Sequence, residues 1–224
     1  MKRKSLPPQV NIMAITGEVD KWLQETYENH CFISWPHTIN PDITECAQAV
    51  RKAIQEQLAA SFHDPQVFLD ESGIVGGDDW EMRLRRALCK SISMVAICAP
   101  IYYRPEHRWC GLEWAAMQRL SSNRLRGRDF QAIIPVMVRK SDPLPPVVGR
   151  LQYIDVSRVT LQGRRYYNFP EFRGKIQQIV QRIEQIAEEL WRGQSRADCD
   201  LFQFPTESAF SDYGVPAQLF PLVS

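Results

Sequence analysis

Trp109 and Glu113 lie four residues apart in a segment with helical periodicity. Residues at this spacing face the same side of a helix, one turn apart, so an indole ring and a carboxylate would share one surface. That surface suits a cationic aromatic substrate: its flat ring stacks on the indole, sugar hydroxyls bond to the carboxylate, and the negative charge stabilises an oxocarbenium-like ribosyl centre. The spacing alone is more often found where one residue packs in the core and the other is solvated.

Cysteine and histidine chemistry is not favoured by the sequence. Cys110 stands beside the Trp109–Glu113 pair, but no histidine is placed to activate it, so a buried position is the better interpretation. The 4 histidines lack metal-ligand spacing, and the 6 cysteines contain no CxxC pair and lie mostly among apolar neighbours. We therefore expect no metal, and reduced cysteines without a disulfide framework.

The elements that position these residues alternate between short apolar runs and helical patterns. This alternation predicts an α/β fold with a mostly parallel central sheet of about five strands. The predicted strands cover residues 31–35, 67–70, 93–98, 133–138 and 153–156. The third run is almost continuously apolar and is expected in the middle of the sheet. Pro135 removes a backbone donor from the fourth run, which indicates an edge strand or a bulge.

Helical patterns fill the intervals between the strands. Asn40 and Pro41 have the residue types of a helix cap and a first helical residue, and apolar residues follow at helical spacing. The other predicted helices cover residues 19–27, a stretch around 80–88, about 106–120, and 171–191. The arginines between residues 119 and 128 are predicted to lie in a solvated loop, because no aromatic residues separate them.

Composition limits the remaining possibilities. The chain has 224 residues, of which 44% are hydrophobic and 24% charged, with a net charge of +1. These values are typical of a globular protein and do not favour binding to nucleic acid or to an anionic membrane. No apolar run approaches the ~20 residues that span a bilayer, and the first ten residues lack the apolar middle of a secretory signal. We therefore expect a cytoplasmic protein.

The order of motifs resembles the Toll/interleukin-1 receptor (TIR) domain family. CFISW is similar to the family's first strand and loop, and VFLD followed by ESGIVGGDDW is similar to its second strand and BB loop. SISMVAICAPIYYRPEHRWCGLEW then resembles the third strand, its turn and the helix with the Trp-Cys-x-x-Glu motif. The resemblance covers roughly residues 29–192 and implies a flavodoxin-like three-layer fold. It divides the chain into an N-terminal extension (1–28), a TIR domain (29–192) and a C-terminal tail (193–224).

Two departures from the family pattern concern the strand ends. Ala99 stands where many members have serine before the proline. Asp70 and Glu71 stand where animal receptors commonly have Asp-Arg-Asp, which favours a prokaryotic type of TIR protein.

The resemblance also implies roles for individual residues. In enzymatic members the glutamate of the Trp-Cys-x-x-Glu motif is catalytic in NAD⁺ cleavage, and this glutamate maps to Glu113; Trp109 matches the tryptophan that precedes it. Ser34 and Trp35 follow the first strand, where members contact the nucleotide, although Trp35 alternatively only packs. NAD⁺ would be the substrate, with no separate cofactor.

Three further residues are considered for the same site from their place in the predicted fold. Asp70 ends the second strand, where it either contacts a ribose hydroxyl or caps the following glycine-rich loop, and the capping role is favoured. Tyr102 and Tyr103 lie on the loop before the helix of Glu113, and one of them is expected to line the site while the other packs.

The predicted function is therefore a TIR-domain NAD⁺ nucleosidase in immune or antiphage signalling. It would release nicotinamide and leave ADP-ribose or a cyclic ADP-ribose. The resemblance further implies activation by oligomerisation through the BB-like loop at 71–79, and a sensor or effector protein as partner. Two alternatives remain: a non-catalytic TIR interaction module, and an enzyme like the nucleoside deoxyribosyltransferases. A phosphoreceiver is set aside, because no acidic pair follows the first strand to hold Mg²⁺.

Overall fold

The computed structural model describes residues 17–38, 40–70, 79–126, 131–140, 146–149, 151–160 and 168–205. Its strands are β1 (Cys31–Ser34), β2 (Val67–Leu69), β3 (Met94–Cys98), β4 (Ile133–Met137) and β5 (Ile154–Asp155). They form a five-stranded sheet in the order β2-β1-β3-β4-β5, and every neighbouring pair is parallel. The predicted α/β flavodoxin-like fold is confirmed.

Helices cover both faces of this sheet. They are α1 (Gly17–Thr26), α2 (Pro41–Leu58), α3 (Asp79–Cys89), α4 (Arg108–Arg124), α5 (Pro146–Gly149), α6 (Ser157–Thr160) and α7 (Pro170–Arg192). Helices α1 and α2 pack against α7, and α3 packs against α4. Since the crossovers of β1 to β2 and of β2 to β3 run in opposite directions along the sheet, these two groups lie on opposite faces.

Local sequence explains the first of these crossovers. The side chain of Asn40 accepts a hydrogen bond from the backbone N–H of Asp42 at 3.0 Å, and Pro41 is the first residue of α2. This is the predicted cap, and it satisfies one of the backbone donors that every helix N-terminus leaves open. The result is that α2 begins directly beyond β1, next to the carboxyl end of that strand.

Strand β3 lies in the middle of the sheet, as predicted, and all of its residues are fully buried. The chain leaves β1 for one side of the sheet and returns through β3 to the other, so the order reverses between these two strands. In parallel sheets ligands bind in the crevice at such a reversal, beyond the carboxyl ends of the strands. The fold therefore indicates a ligand site between Ser34 and the turn that follows Cys98.

The prediction that Pro135 marks an edge strand or a bulge was wrong. β4 lies between β3 and β5, and Pro135 is in register with Ala96. The N–H of Val138 donates to the carbonyl of Cys98 on β3, so alternate residues face β3 and Pro135 faces the other side. Pairing with β5 begins only at Val136, and the missing N–H of Pro135 therefore removes no donor from the ladder.

The prediction of a solvated basic loop was also wrong for its first part. Helix α4 continues to Arg124, and the guanidinium of Arg124 donates to the carbonyls of Cys89 at 2.6 Å and of Ser91 at 3.2 Å. It also lies over the ring of Tyr27, 5.3 Å from its centroid. Arg124 thus joins the ends of α1, α3 and α4, whereas Arg126 is exposed.

The expectation that the cysteines are all reduced was wrong for two of them. Cys89 at the end of α3 forms a disulfide with Cys199, 110 residues further along the chain. The other four cysteines lie outside this disulfide and are buried: Cys31, Cys46, Cys98 and Cys110. No local spacing connects Cys89 to Cys199, because the bridge depends on where the segment after α7 crosses the domain.

Both flanks of the predicted TIR domain contribute to the packing where they are described. Val19 and Leu23 of α1 belong to the hydrophobic core, and so does Phe202 of the tail. The tail therefore packs on the domain at Phe202. The domain boundaries themselves stay a prediction. Among the described residues, no helix is long and apolar enough to cross a membrane.

Candidate functional site

Glu113 lies on the first turns of α4, and its side chain turns inward beneath the carboxyl end of β1. The residue is 8% exposed. Its Oε2 accepts a hydrogen bond from the hydroxyl of Ser34, the last residue of β1, at 2.5 Å. Helix α4 thus places a carboxyl group at the sheet edge where the strand order reverses, and β1 supplies its first partner.

Tyr102 extends this contact into a chain of three oxygens. It lies in the 3₁₀ turn Pro100–Tyr103 that follows β3, and it is buried. Its hydroxyl is 2.7 Å from the hydroxyl of Ser34 and 3.3 Å from the carbonyl of Cys110, to which it donates. Three predicted site residues from three different elements, Ser34, Tyr102 and Glu113, therefore meet in one hydrogen-bonded group.

Burial changes the acidity of this group. It raises the pKa of Glu113 to about 8; the hydrogen bond from Ser34 opposes this rise, and the charge of Asp70 adds to it. Burial also holds the pKa of Tyr102 well above its usual range. At neutral pH the carboxyl group of Glu113 is therefore mostly protonated, and a ligand with a positive charge would favour its ionised form.

Replacing Tyr102 by phenylalanine tests how far this hydrogen-bonded group stabilises the fold. The variant leaves the hydroxyl of Ser34 and the carbonyl of Cys110 without one partner each, so we expect the free energy of unfolding to fall by about 1–2 kcal/mol. Urea denaturation measures it. Tyr103→Phe is the matched control, because the buried Tyr103 hydroxyl has no oxygen or nitrogen partner among the described residues. Equal losses in the two variants would contradict the expectation.

Asp70 and Trp35 join the carboxyl ends of β1 and β2. The indole N–H of Trp35 donates to the carbonyl of Asp70 at 3.2 Å, and its ring stacks on His37 with the centroids 4.3 Å apart. The carboxylate of Asp70 accepts from the indole N–H of Trp80 at 2.7 Å and from Arg83 at 3.0 Å. Asp70 therefore ties the end of β2 to α3. The loop it was predicted to cap, 71–78, lies outside the described residues.

Trp109 is half-buried on the first turn of α4, between two other aromatic rings. Its ring meets that of Trp80 edge to face, with centroids 4.7 Å apart, and lies 6.0 Å from the ring of Phe204 in the tail. Sequence reasoning assigned neither Trp80 nor Phe204 to the site. Both rings contact Trp109, and these contacts form only when α3, α4 and the tail pack together.

In the part of the chain that the structure describes, neither a metal site nor an activated nucleophile is found. The described residues contain no group of three or more His, Cys, Asp or Glu side chains that could hold a metal ion. Cys110 is buried, and burial raises the pKa of its thiol well above the usual range. The thiol therefore stays protonated, as expected for a packing residue and not for a nucleophile.

A comparison against known families agrees with this fold. The family model described as the TIR domain matches residues 32–166, which is more than half of the chain. The chain therefore belongs to the TIR domain family. No curated protein and no solved structure matches it significantly.

Proposed function

We propose that this TIR protein is an NAD⁺ nucleosidase with Glu113 as its catalytic residue. The observation that carries the proposal is a buried carboxyl group with a raised pKa, bonded to Ser34 in the crevice where the strand order reverses. A carboxyl group so buried destabilises the folded protein once it is charged, and such groups cluster at functional sites. The membership of the TIR family makes NAD⁺ the first substrate to test.

In the proposed reaction the bond between nicotinamide and ribose breaks, and its electron pair stays on the ring nitrogen. Nicotinamide leaves as a neutral molecule, and the ribose carbon becomes an oxocarbenium-like cation. The carboxylate of Glu113 stabilises this cation and accepts hydrogen bonds from the ribose hydroxyls. Water then attacks to give ADP-ribose and a proton, or an adenine nitrogen attacks to give a cyclic product.

The other residues of the site would bind and orient the substrate. The hydroxyl of Ser34 would give up its hydrogen bond to Glu113, which frees the carboxylate to bond a ribose hydroxyl. The hydroxyl of Tyr102 would keep its hydrogen bond with Ser34 and hold the serine in place. The positive nicotinamide ring lowers the pKa of Glu113 on binding, so the carboxyl group ionises in the complex with the substrate. Trp35 and Asp70 shape the neighbouring strand ends, and Trp109 offers an indole face for a flat ring.

The test is nicotinamide release from NAD⁺ by the purified full chain, at high protein concentration with a crowding agent. We expect Glu113→Gln to lower the rate at least ~100-fold, as for the loss of a group that stabilises developing charge. Glu106→Gln is the matched control, because Glu106 is exposed in the turn before α4. Chromatography of the products distinguishes ADP-ribose from a cyclic product.

The pH dependence gives a second readout of the same proposal. With a pKa of about 8 for Glu113, kcat/KM should rise with pH between 6 and 8 and level off above.

A rate that increases more than in proportion to protein concentration would support activation by self-association, proposed to use the BB-like loop at 71–79. If neither the wild type nor Glu113→Gln releases nicotinamide under any condition, the non-catalytic TIR interaction module is favoured. If the protein instead turns over deoxynucleosides, the enzyme like the nucleoside deoxyribosyltransferases is favoured.

A further inference from the structure

The segment after α7 crosses the domain from one end of the sheet to the other. Near its start, the hydroxyl of Ser195 donates to the carbonyl of Arg124 at 2.7 Å, and the hydroxyl of Tyr27 donates to the carbonyl of Ser195 at 2.7 Å. The segment is then joined to the end of α3 by the disulfide between Cys89 and Cys199. We call residues 199–205 the strap.

The strap runs back along α3 towards the candidate site. Trp80 and Cys89 are nine residues apart on α3, which corresponds to about 13 Å of helix. Cys199 and Phe204 are five residues apart in sequence. The N–H of Phe202 donates to the carbonyl of Cys199 at 3.3 Å and closes a turn that spans up to about 7 Å, and two further extended residues add about 7 Å. The strap is therefore long enough to connect the disulfide to the aromatic rings at the beginning of α3, with Phe202 buried on the way.

The far end of the strap covers Trp109. Phe204 packs against the ring of Trp109, and Phe202 packs against Phe204 with centroids 6.3 Å apart. Trp80, the second neighbour of Trp109, bonds to Asp70 at the end of β2. A side chain of the tail thus packs against Trp109, together with the ring of Trp80 and the guanidinium of Arg108, whose Cζ lies 5.7 Å from the centroid of the Trp109 ring.

The two sulfur atoms of the disulfide differ in their surroundings. Cys89 is fully buried, whereas Cys199 is half-buried and is the side open to attack. A guanidinium nitrogen of Arg124 lies 3.6 Å from the sulfur of Cys89. This positive charge stabilises the negative charge that develops on the sulfur of Cys89 when Cys199 is attacked.

We propose that the Cys89–Cys199 disulfide is a redox-controlled lock, and that its reduction releases the strap and uncovers Trp109. A protein dithiol is the reductant. One of its thiolates attacks the sulfur of Cys199, the S–S bond breaks, and Cys89 leaves with the electron pair and takes up a proton. The second thiol of the reductant then displaces Cys199, so the reductant ends as a disulfide and both cysteines end as thiols.

The lock fits a protein expected in the cytoplasm, where disulfides are usually transient and redox-sensing. Without the S–S bond the strap keeps the contacts of the buried Phe202 and Pro205 and of the half-buried Phe204, while Leu201, which precedes Phe202, is exposed and adds no buried contact. The proposed release of the strap does not depend on the proposed function. Its consequence for nicotinamide release rests on the proposed function.

Hydrogen–deuterium exchange of the full chain tests the release of the strap directly. Addition of dithiothreitol to the wild type is expected to speed the exchange of the amides of residues 199–204 at least tenfold. Cys199→Ser should show the fast exchange without reductant, and Cys46→Ser, which alters a buried cysteine outside the disulfide, should behave as the wild type. Slow exchange in both reduced wild type and Cys199→Ser would overturn the lock.

Nicotinamide release tests the covering of Trp109 separately. Phe204→Ala keeps the disulfide but removes the ring from Trp109, so the oxidised variant should release nicotinamide several-fold faster than the oxidised wild type. Leu201→Ala is the matched control, because Leu201 is 82% exposed and should leave the rate unchanged. An unchanged rate in Phe204→Ala, beside measurable release that depends on Glu113, would overturn the covering. If no variant releases nicotinamide, the proposed function fails and the exchange experiment still decides the lock.

Discussion

The Glu113→Gln variant is expected to be more stable than the wild type, by a margin that grows with pH. Burial raises the pKa of Glu113 from 4.5 to about 8, so between these values the folded protein holds a proton that the unfolded chain releases. The folded state therefore loses stability as pH rises, by about 1.4 kcal/mol per pH unit. Glutamine carries no charge at any of these pH values and still offers Ser34 a carbonyl oxygen.

Urea denaturation of both proteins at pH 5, 6.5 and 8 measures this margin. We expect it to be small at pH 5 and to reach about 4 kcal/mol at pH 8, beyond which it levels off. Glu106→Gln, at the exposed position before α4, should differ from the wild type by the same small amount at every pH. A margin for Glu113→Gln that stays constant from pH 5 to 8 would show that the folded and unfolded states bind this proton equally.

The same substitution is expected to abolish nicotinamide release and to stabilise the fold. A neutral side chain would suit the surroundings of residue 113 better than a carboxyl group does, because the site is buried and supplies one hydroxyl donor, from Ser34, close to it. Local rules of stability are broken mainly where a function requires it. A stabilising and inactivating effect together would therefore identify Glu113 as a functional residue more clearly than the loss of activity alone.

The sheet and its helices could be predicted because their signals are local. The helix cap formed by Asn40 depends only on the residues that directly follow it. The burial of β3 is indicated by its continuous run of apolar residues. Helix α4 begins two residues later than predicted and ends four residues later. Its start is delayed by the 3₁₀ turn Pro105–His107, and its end is extended because Arg124 finds carbonyl acceptors on the neighbouring segment.

The site could be predicted in part for a similar reason. The carboxyl ends of parallel strands meet at one edge, so Ser34, Tyr102 and Glu113 could be expected near one another without knowledge of their contacts. The carbonyl of Cys110 as a partner of Tyr102 depends on backbone geometry that no side-chain pattern records. The contact of Phe204 with the site could not be predicted from the sequence, because the tail has no periodicity. The course of the tail is fixed by a disulfide between two cysteines that are 110 residues apart in sequence.

Loss of Arg124 is the second substitution with a large expected effect. Arg124→Ala removes charged hydrogen bonds to the carbonyls of Cys89 and Ser91 and leaves these groups without that donor. Each such bond is worth about 1.5–3 kcal/mol, and the contact with the ring of Tyr27 adds about 0.5–1 kcal/mol. Because these contributions are not fully additive, we expect the free energy of unfolding to fall by about 3 kcal/mol.

Two further variants separate the geometry of Arg124 from its charge. Arg124→Lys keeps the charge but not the planar fork that reaches both carbonyls, so it should recover less than half of the loss. Arg126→Ala, at an exposed position two residues further along, should change the free energy of unfolding by less than about 0.5 kcal/mol. Urea denaturation without reductant, with the disulfide intact in all variants, gives the comparison. Full recovery in Arg124→Lys would mean that a single positive charge, and not the pair of carbonyl contacts, holds α1, α3 and α4 together.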